Sequence, residues 1–150
     1  MKNILILENI RSAYNVGTMI RTADALWWDV ICSGFTPTPD REEKVKKSSL
    51  WAEEHLSVMH VWNTREALEY VVKNGYYLIA SELTQHALPL QEFQKSSLSW
   101  PVAVIMGSET DGVLPESLDF CKQILYIPMR GFKESLNVAE AAAIMMWELV

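Results

Sequence analysis

Five short apolar runs, alternating with helical stretches, restrict the possible folds of this chain more than any other feature. They are NILIL (Asn3–Leu7), VICSG, YYLIAS, VAVIM (Val102–Met106) and QILYIP, the last ended by Pro128. Runs continuous in apolar residues read as buried strands. Val16–Leu26 reads as a helix with Met19, Ile20, Ala23 and Leu26 on one stripe. NTREALEYVVKNG is a second helix, with Thr64 as its N-cap and Asn74-Gly75 as its stop. The alanine-rich NVAEAAAIMMWELV closes the chain as a third. FTPTPD holds two prolines and reads as an extended loop. Strands alternating with helices predict an α/β domain with a mainly parallel sheet.

The 150 residues suffice for one domain, taken as 1–150, and 49% hydrophobic with 21% charged residues predicts a packed core. No apolar run approaches the ~20 residues of a membrane span. MKNILILENIRS is too short in its apolar part for a secretory signal, so a cytoplasmic protein is expected. Cys32 and Cys121 form no CxxC and read as buried free thiols. His55, His60 and His86 lack metal-ligand spacing, so no metal is expected.

A net charge of −6 argues against nucleic-acid binding through bulk positive charge. The charge is uneven, however. Residues 1–49 hold seven basic side chains against six acidic ones, and REEKVKKSS is the most basic stretch. That stretch is either a solvated, mobile connection or the docking place of a polyanion.

Ligands of parallel sheets sit at the carboxyl ends of the strands. After VAVIM comes GSETDGVLPESL, whose two glycines permit a tight turn and close backbone approach to a ligand. It is neither a P-loop, nor GxGxxG, nor GxSxG, and an acidic helix-capping turn reads equally well. After ILYIP comes MRGFKESLNVAEAAA, where Ser135 or Asn137 sits at the cap of the last helix. Arg21 lies off the apolar stripe of its helix, and an exposed Arg21–Asp24 pair accounts for it when it is taken alone.

Together, NVGTMIRTADAL, VAVIMGSETDGVLPESLD and YIPMRGFKESLNVAEAAAIMMWEL resemble, in order and spacing, the three motifs of the SpoU family of RNA ribose 2′-O-methyltransferases, within the SPOUT group. GFTPTPDREEKVKKSSLWAEEHL resembles the family's loop after its second strand. Where the family commonly has glycine, this chain has Trp27 and Trp51. The resemblance implies an open, mainly parallel sheet with helices on both faces and a deep C-terminal trefoil knot. It also implies a homodimer with sites completed across the interface, and S-adenosylmethionine as methyl donor. Methyltransferases of Rossmann type carry a glycine-rich turn after their first strand; ENIRS is not one.

By the same resemblance, the catalytic set is Arg21, Asn15, Glu109, Ser135 and Asn137. Asn15 is expected to hold Arg21 or the substrate, and Glu109 to orient the last helix or an arginine. The donor pocket is expected from Ser81, Glu82, Leu83, Met106, Gly107, Ile127, Pro128, Met129 and Leu136. A guanidinium keeps its proton in proteins, so Arg21 is expected to grip a phosphate and stabilise a developing alkoxide rather than act as base. RNA contacts are expected from Arg11, Arg41, Lys44, Lys46 and Lys47, and the compact chain favours transfer over ribosomal RNA. Two rivals remain at this level: an RNA- or donor-binding protein of the same fold without turnover, and an unrelated α/β nucleotide binder.

Overall fold

The computed structural model describes residues 1–98 and 101–150. Seven strands form one sheet: β1 (Asn3–Glu8), β2 (Trp28–Ser33), β3 (Val58–Val61), β4 (Tyr77–Ser81), β5 (Leu88–Pro89), β6 (Val102–Met106) and β7 (Gln123–Tyr126). Their spatial order is β3-β2-β1-β6-β4-β7-β5, and every described strand pairing is parallel. The β6 run pairs on both sides, Val104 facing Leu5 and Ile79, which is why it is apolar throughout.

Strand alternation divides the core in two. Leu5, Leu7, Val30, Cys32, Ile79, Val104 and Met106 face one side, against α1 (Ala13–Ala25), α2 (Glu43–Ser49) and α5 (Val138–Glu148). Ile4, Ile6, Ile31, Leu78, Ala103 and Ile105 face the other, where Ala67, Leu68 and Val71 of α3 (Thr64–Lys73) cover them. Helices therefore lie on both faces. Beyond β7 the chain runs through residues 127–137 to α5, which packs on α1 and β6. α5 thus crosses back over strands laid down earlier, the C-terminal crossing expected of the knotted fold.

Several local expectations are corrected. α1 begins at Ala13 because the Ser12 hydroxyl accepts from the Asn15 amide at 3.2 Å. The N-cap of α3 is Asn63, whose Oδ1 accepts from the Arg65 amide at 3.0 Å; the Thr64 hydroxyl instead meets Ser33 Oγ at 2.8 Å. REEKVKKSS is not a mobile connection. Its core is α2, with Val45 and Ser49 buried on one side and Lys44 and Lys47 in solvent on the other. Cys32 is buried, but Cys121 is only half-buried. β3 and β5, which close the two edges of the sheet, have no counterpart in the sequence expectations: β3 is only half-buried and β5 is two residues long.

Trp27 does not disturb the end of α1. It adopts φ +63°, the left-handed conformation that a glycine would supply, while Leu26 makes the cap. Leu50 and Trp51 do the same at the end of α2, with φ +52° and +69°. No described helix is long and apolar enough to cross a membrane.

Candidate active site

The ends of β6, β4 and β7 open into a cavity of about 710 Å³. Its first wall is the turn after β6. There Gly107 passes so close to the backbone of Gly112 and Val113 that a Cβ would collide with both. Ser108 Oγ accepts from the Asp111 amide at 3.0 Å, and the Gly112 amide donates to the Ser108 carbonyl at 2.9 Å. The turn is thus a closed loop, and the short helix α4 (Pro115–Leu118) follows it. The sequence reading of an acidic capping turn does not hold, because Leu114 occupies the cap of α4 and makes no side-chain bond.

The second wall is the stretch after β4. Glu82 bonds the first wall directly: its Oε2 accepts from the Val113 amide at 2.9 Å, while its Oε1 accepts from the Leu83 amide at 2.9 Å. Glu82, expected at the donor pocket, lines the cavity and also clamps two of its loops together. The third wall is the chain after β7, with Ile127, Met129, Ser135 and Leu136. Ser81, Leu83, Met106 and Gly107 line the cavity as expected. Pro128 does not. It faces a separate groove with Leu90, Arg130, Ile144 and Glu148, because Ile127 and Met129 take the inward positions on either side of it.

Asn15, Glu109 and Asn137, distant in sequence, meet beside this cavity. Asn15 Nδ2 donates to Glu109 Oε1 at 3.0 Å, and Asn137 Nδ2 donates to Asn15 Oδ1 at 3.2 Å. Asn137 Oδ1 accepts from the Ala139 amide at 2.8 Å and caps α5. Asn137 thus caps α5 with Oδ1 and joins the Asn15–Glu109 cluster with Nδ2. Glu109 orients Asn15, and through it the start of α5. Asn15 does not bond Arg21.

Arg21 stands apart from this cluster. It is six residues beyond Asn15 on α1, a rise of about 9 Å, and turned well away from it. It is exposed and lines a different cavity, of about 610 Å³, between α1 and α5 with Thr18, Thr22, Ile144 and Trp147. It forms no ion pair with Asp24 among the described residues. Within one chain α1 presents Asn15 to the Glu109–Asn137 cluster and Arg21 to the α5 groove, so this guanidinium is not among the residues that line the main cavity.

The electrostatics of the main cavity are one-signed. Glu82, Glu109, Asp111 and Glu134 line it, and among the described residues no lysine, arginine or histidine does. Met106, Ile127, Met129, Leu136 and Val138 supply its apolar part. A ligand with a cationic centre and a flat apolar body matches this lining. The expected RNA contacts lie elsewhere. Lys44 and Lys47 are exposed on α2, and the Lys46 ammonium is 5.9 Å from the Trp51 ring centroid. The Arg11 guanidinium lies 5.9 Å over Phe35 and that of Arg41 lies 5.0 Å over Trp62. The sequence reading missed Glu8. It is fully buried at the end of β1, where its Oε2 accepts from the Leu114 amide at 2.9 Å and its Oε1 accepts from the Ser117 hydroxyl. An acid ending an apolar strand was the available signal. Among the described residues no group of side chains is arranged to hold a metal ion.

The SpoU rRNA methylase family model matches residues 2–147. A putative TrmH family tRNA/rRNA methyltransferase of Staphylococcus saprophyticus is 29% identical over 149 residues, 99% of this chain and 58% of that protein. The AdoMet-bound rRNA methyltransferase of Sinorhizobium meliloti superposes with a TM-score of 0.90 at 26% identity, over 99% of this chain and 55% of that one. A structure described as an RNA 2′-O ribose methyltransferase superposes at 0.84 with 26% identity, over 99% of this chain and 55% of that one. The chain spans a little over half the length of these relatives.

Proposed function

The chain belongs to the SpoU rRNA methylase family, and on that premise we propose that it methylates a ribose 2′-hydroxyl of RNA, using S-adenosylmethionine, with transfer RNA ahead of ribosomal RNA as substrate. The observation that carries this reading is the Glu109–Asn15–Asn137 chain of hydrogen bonds beside a cavity lined by carboxylates and apolar side chains. The lining fits the donor: carboxylates suit its positive sulfonium and ammonium, and Met106, Ile127, Met129 and Leu136 suit an adenosine. When bound, S-adenosylmethionine supplies an electrophilic methyl group. Ser81, Leu83 and Gly107 would hold it through backbone groups, and Leu136 would supply apolar surface for its adenosine.

Ser135 and Asn137 then stand at the rim where the ribose arrives. They would hold and orient the 2′-hydroxyl there, and such positioning contributes several kcal/mol. Because the Asn137 amide is held at both ends, its remaining hydrogen-bonding capacity is aimed rather than free. Arg21 keeps its proton, so it grips a phosphate beside the target ribose and stabilises the developing alkoxide, while water or a phosphate oxygen takes the proton.

Arg21 reaches a ribose in this way only from a second copy of the chain. The α1–α5 face is fit for that contact: Trp147 is 72% exposed, Ile144 is exposed, and a groove of about 610 Å³ runs between the two helices. An apolar patch of this kind on a charged surface marks an interface. The partners proposed are therefore an RNA and a second copy of this chain, with Arg11, Arg41, Lys44, Lys46 and Lys47 meeting phosphates. The same displacement of Arg21 favours the rival reading for a lone chain, a donor-binding protein without turnover.

Calorimetry with S-adenosylhomocysteine and methyl transfer to total RNA separate the two. Arg21→Ala is expected to abolish transfer while leaving S-adenosylhomocysteine affinity near that of the native protein. Full activity in Arg21→Ala refutes the role given to the guanidinium, and S-adenosylhomocysteine binding without any transfer by the native protein establishes the rival.

A further inference from the structure

A second cleft opens at the same edge of the sheet, over the ends of β1, β2 and β3 rather than β6, β4 and β7. Its volume is about 490 Å³, and Asn9, Trp62, Asn63, Arg65, Leu114 and Phe120 are among the residues that line it. A single stretch of chain separates it from the donor cavity. On that stretch the Val113 amide bonds to Glu82, which lines the donor cavity, and the next amide, Leu114, bonds to Glu8, which lines this cleft. The two cavities are thus neighbours across one wall that two carboxylates hold in place.

Trp62, Phe120 and Arg65 line the cleft together with two carboxylates, Glu116 and Glu8, the latter occupied by the Leu114 amide and the Ser117 hydroxyl. Trp62 is 69% exposed, yet its ring is not loose. The Arg41 guanidinium lies 5.0 Å over its centroid, and the His60 ring meets it edge to face at 4.5 Å. His60 is itself tied to the Gly34 carbonyl at 2.8 Å through Nε2. Arg65 lies 5.6 Å over Phe120 and is held by Glu69 at 2.7 Å. Of these residues the proposed methyl transfer uses Arg41 alone, as a phosphate contact; Trp62, His60, Arg65 and Phe120 have no part in it. An exposed indole held rigid beside a cavity loses little freedom when a flat ring stacks on it, and every nucleobase offers such a ring. Arg65 in the lining and Arg41 over the Trp62 ring offer two guanidinium groups to the phosphates on either side of that base. Among the described residues no basic side chain lines the donor cavity, and the guanidinium groups of this cleft supply positive charge just outside it.

We propose that this cleft captures an unpaired base of the RNA substrate, close along the strand to the nucleotide that is methylated, by stacking on Trp62 with Arg41 and Arg65 facing the flanking phosphates. The proposal rests on the RNA methyltransferase reading above. Splayed single-stranded bases on aromatic side chains are the usual basis of RNA recognition outside duplexes. The Oδ1 atoms of Asn9 and Asn63 accept from the Phe35 and Arg65 amides, which leaves their Nδ2 groups at the cleft to donate to the edge of the base.

The test is a titration of the native protein, Trp62→Ala, Trp62→Phe and Arg41→Ala with an unstructured mixed-sequence RNA oligonucleotide, alongside S-adenosylhomocysteine binding and methyl transfer to total RNA. Trp62→Ala is expected to weaken RNA binding and raise KM for RNA about tenfold, within the range of one stacked base. It leaves kcat and S-adenosylhomocysteine affinity unchanged, and Trp62→Phe retains most of the affinity. Arg41→Ala is expected to lower the slope of log affinity against log salt by about one. Native RNA affinity and KM in Trp62→Ala, with methyl transfer intact, overturn the cleft and leave the methyltransferase reading standing. A native protein that neither binds nor methylates RNA overturns both.

Discussion

At the residue scale, Trp27 shows how a side chain is tolerated where the backbone asks for glycine. Its φ of +63° costs roughly 1–2 kcal/mol for a residue with a Cβ, and its only described ring partner is the Lys2 ammonium at 5.8 Å. Trp27→Gly is therefore expected to raise stability by about 1 kcal/mol in urea unfolding, net of the entropy glycine adds to the unfolded chain; a loss of that size points to packing the ring provides. The two thiols give a pH dependence. Burial pushes both Cys32 and Cys121 from 9.0 to about 12, with Asp40 and Glu8 respectively adding to the rise. Their pKa values are raised on folding, so their contribution is complete below pH 9 and is lost as pH rises from 9 toward 12. The urea midpoint is expected to fall across that window, and to fall less steeply in Cys32→Ala.

At the scale of elements, the packing of α1 on α2 turns on one position. A Cβ on Gly17 would collide with Ser48 Oγ and the Val45 carbonyl. Helix propensity alone makes Gly17→Ala a gain of about 1 kcal/mol, whereas overpacking costs about 1–3 kcal/mol. The backbone carbonyl cannot move aside as a side chain does, so a net loss is expected in thermal unfolding, and a gain shows that α2 slides.

The same scale shows what the sequence makes legible. VAVIM appears as β6 with unchanged bounds, because a strand paired on both sides and covered on both faces must be apolar at every residue. The cluster of Asn15, Glu109 and Asn137 was legible only through the resemblance, since no spacing rule brings residues 94 and 122 positions apart into contact. Which cavity Arg21 faces was not legible, for a plain reason. A motif fixes which residue is present, while the turn of the helix decides which cavity it faces. The helix at α2 was hidden because charged residues outnumber apolar ones there, and its few buried contacts, with Val45 and Ser49, are tertiary.

At the scale of the whole molecule, the account needs two copies. The carboxylate-lined cavity and the guanidinium belong to different faces of one chain, so the site we propose joins the cavity of one copy to the Arg21 of another. Two variants, each inactive alone, test this when mixed: Arg21→Ala, which keeps its cavity, and Leu136→Asp, which keeps its arginine. Unfolded and refolded together, they form mixed dimers holding one intact site each. The account expects methyl transfer to RNA to return to roughly a quarter of the native rate, the statistical share of intact sites in the mixture. A mixture as inactive as its components contradicts it.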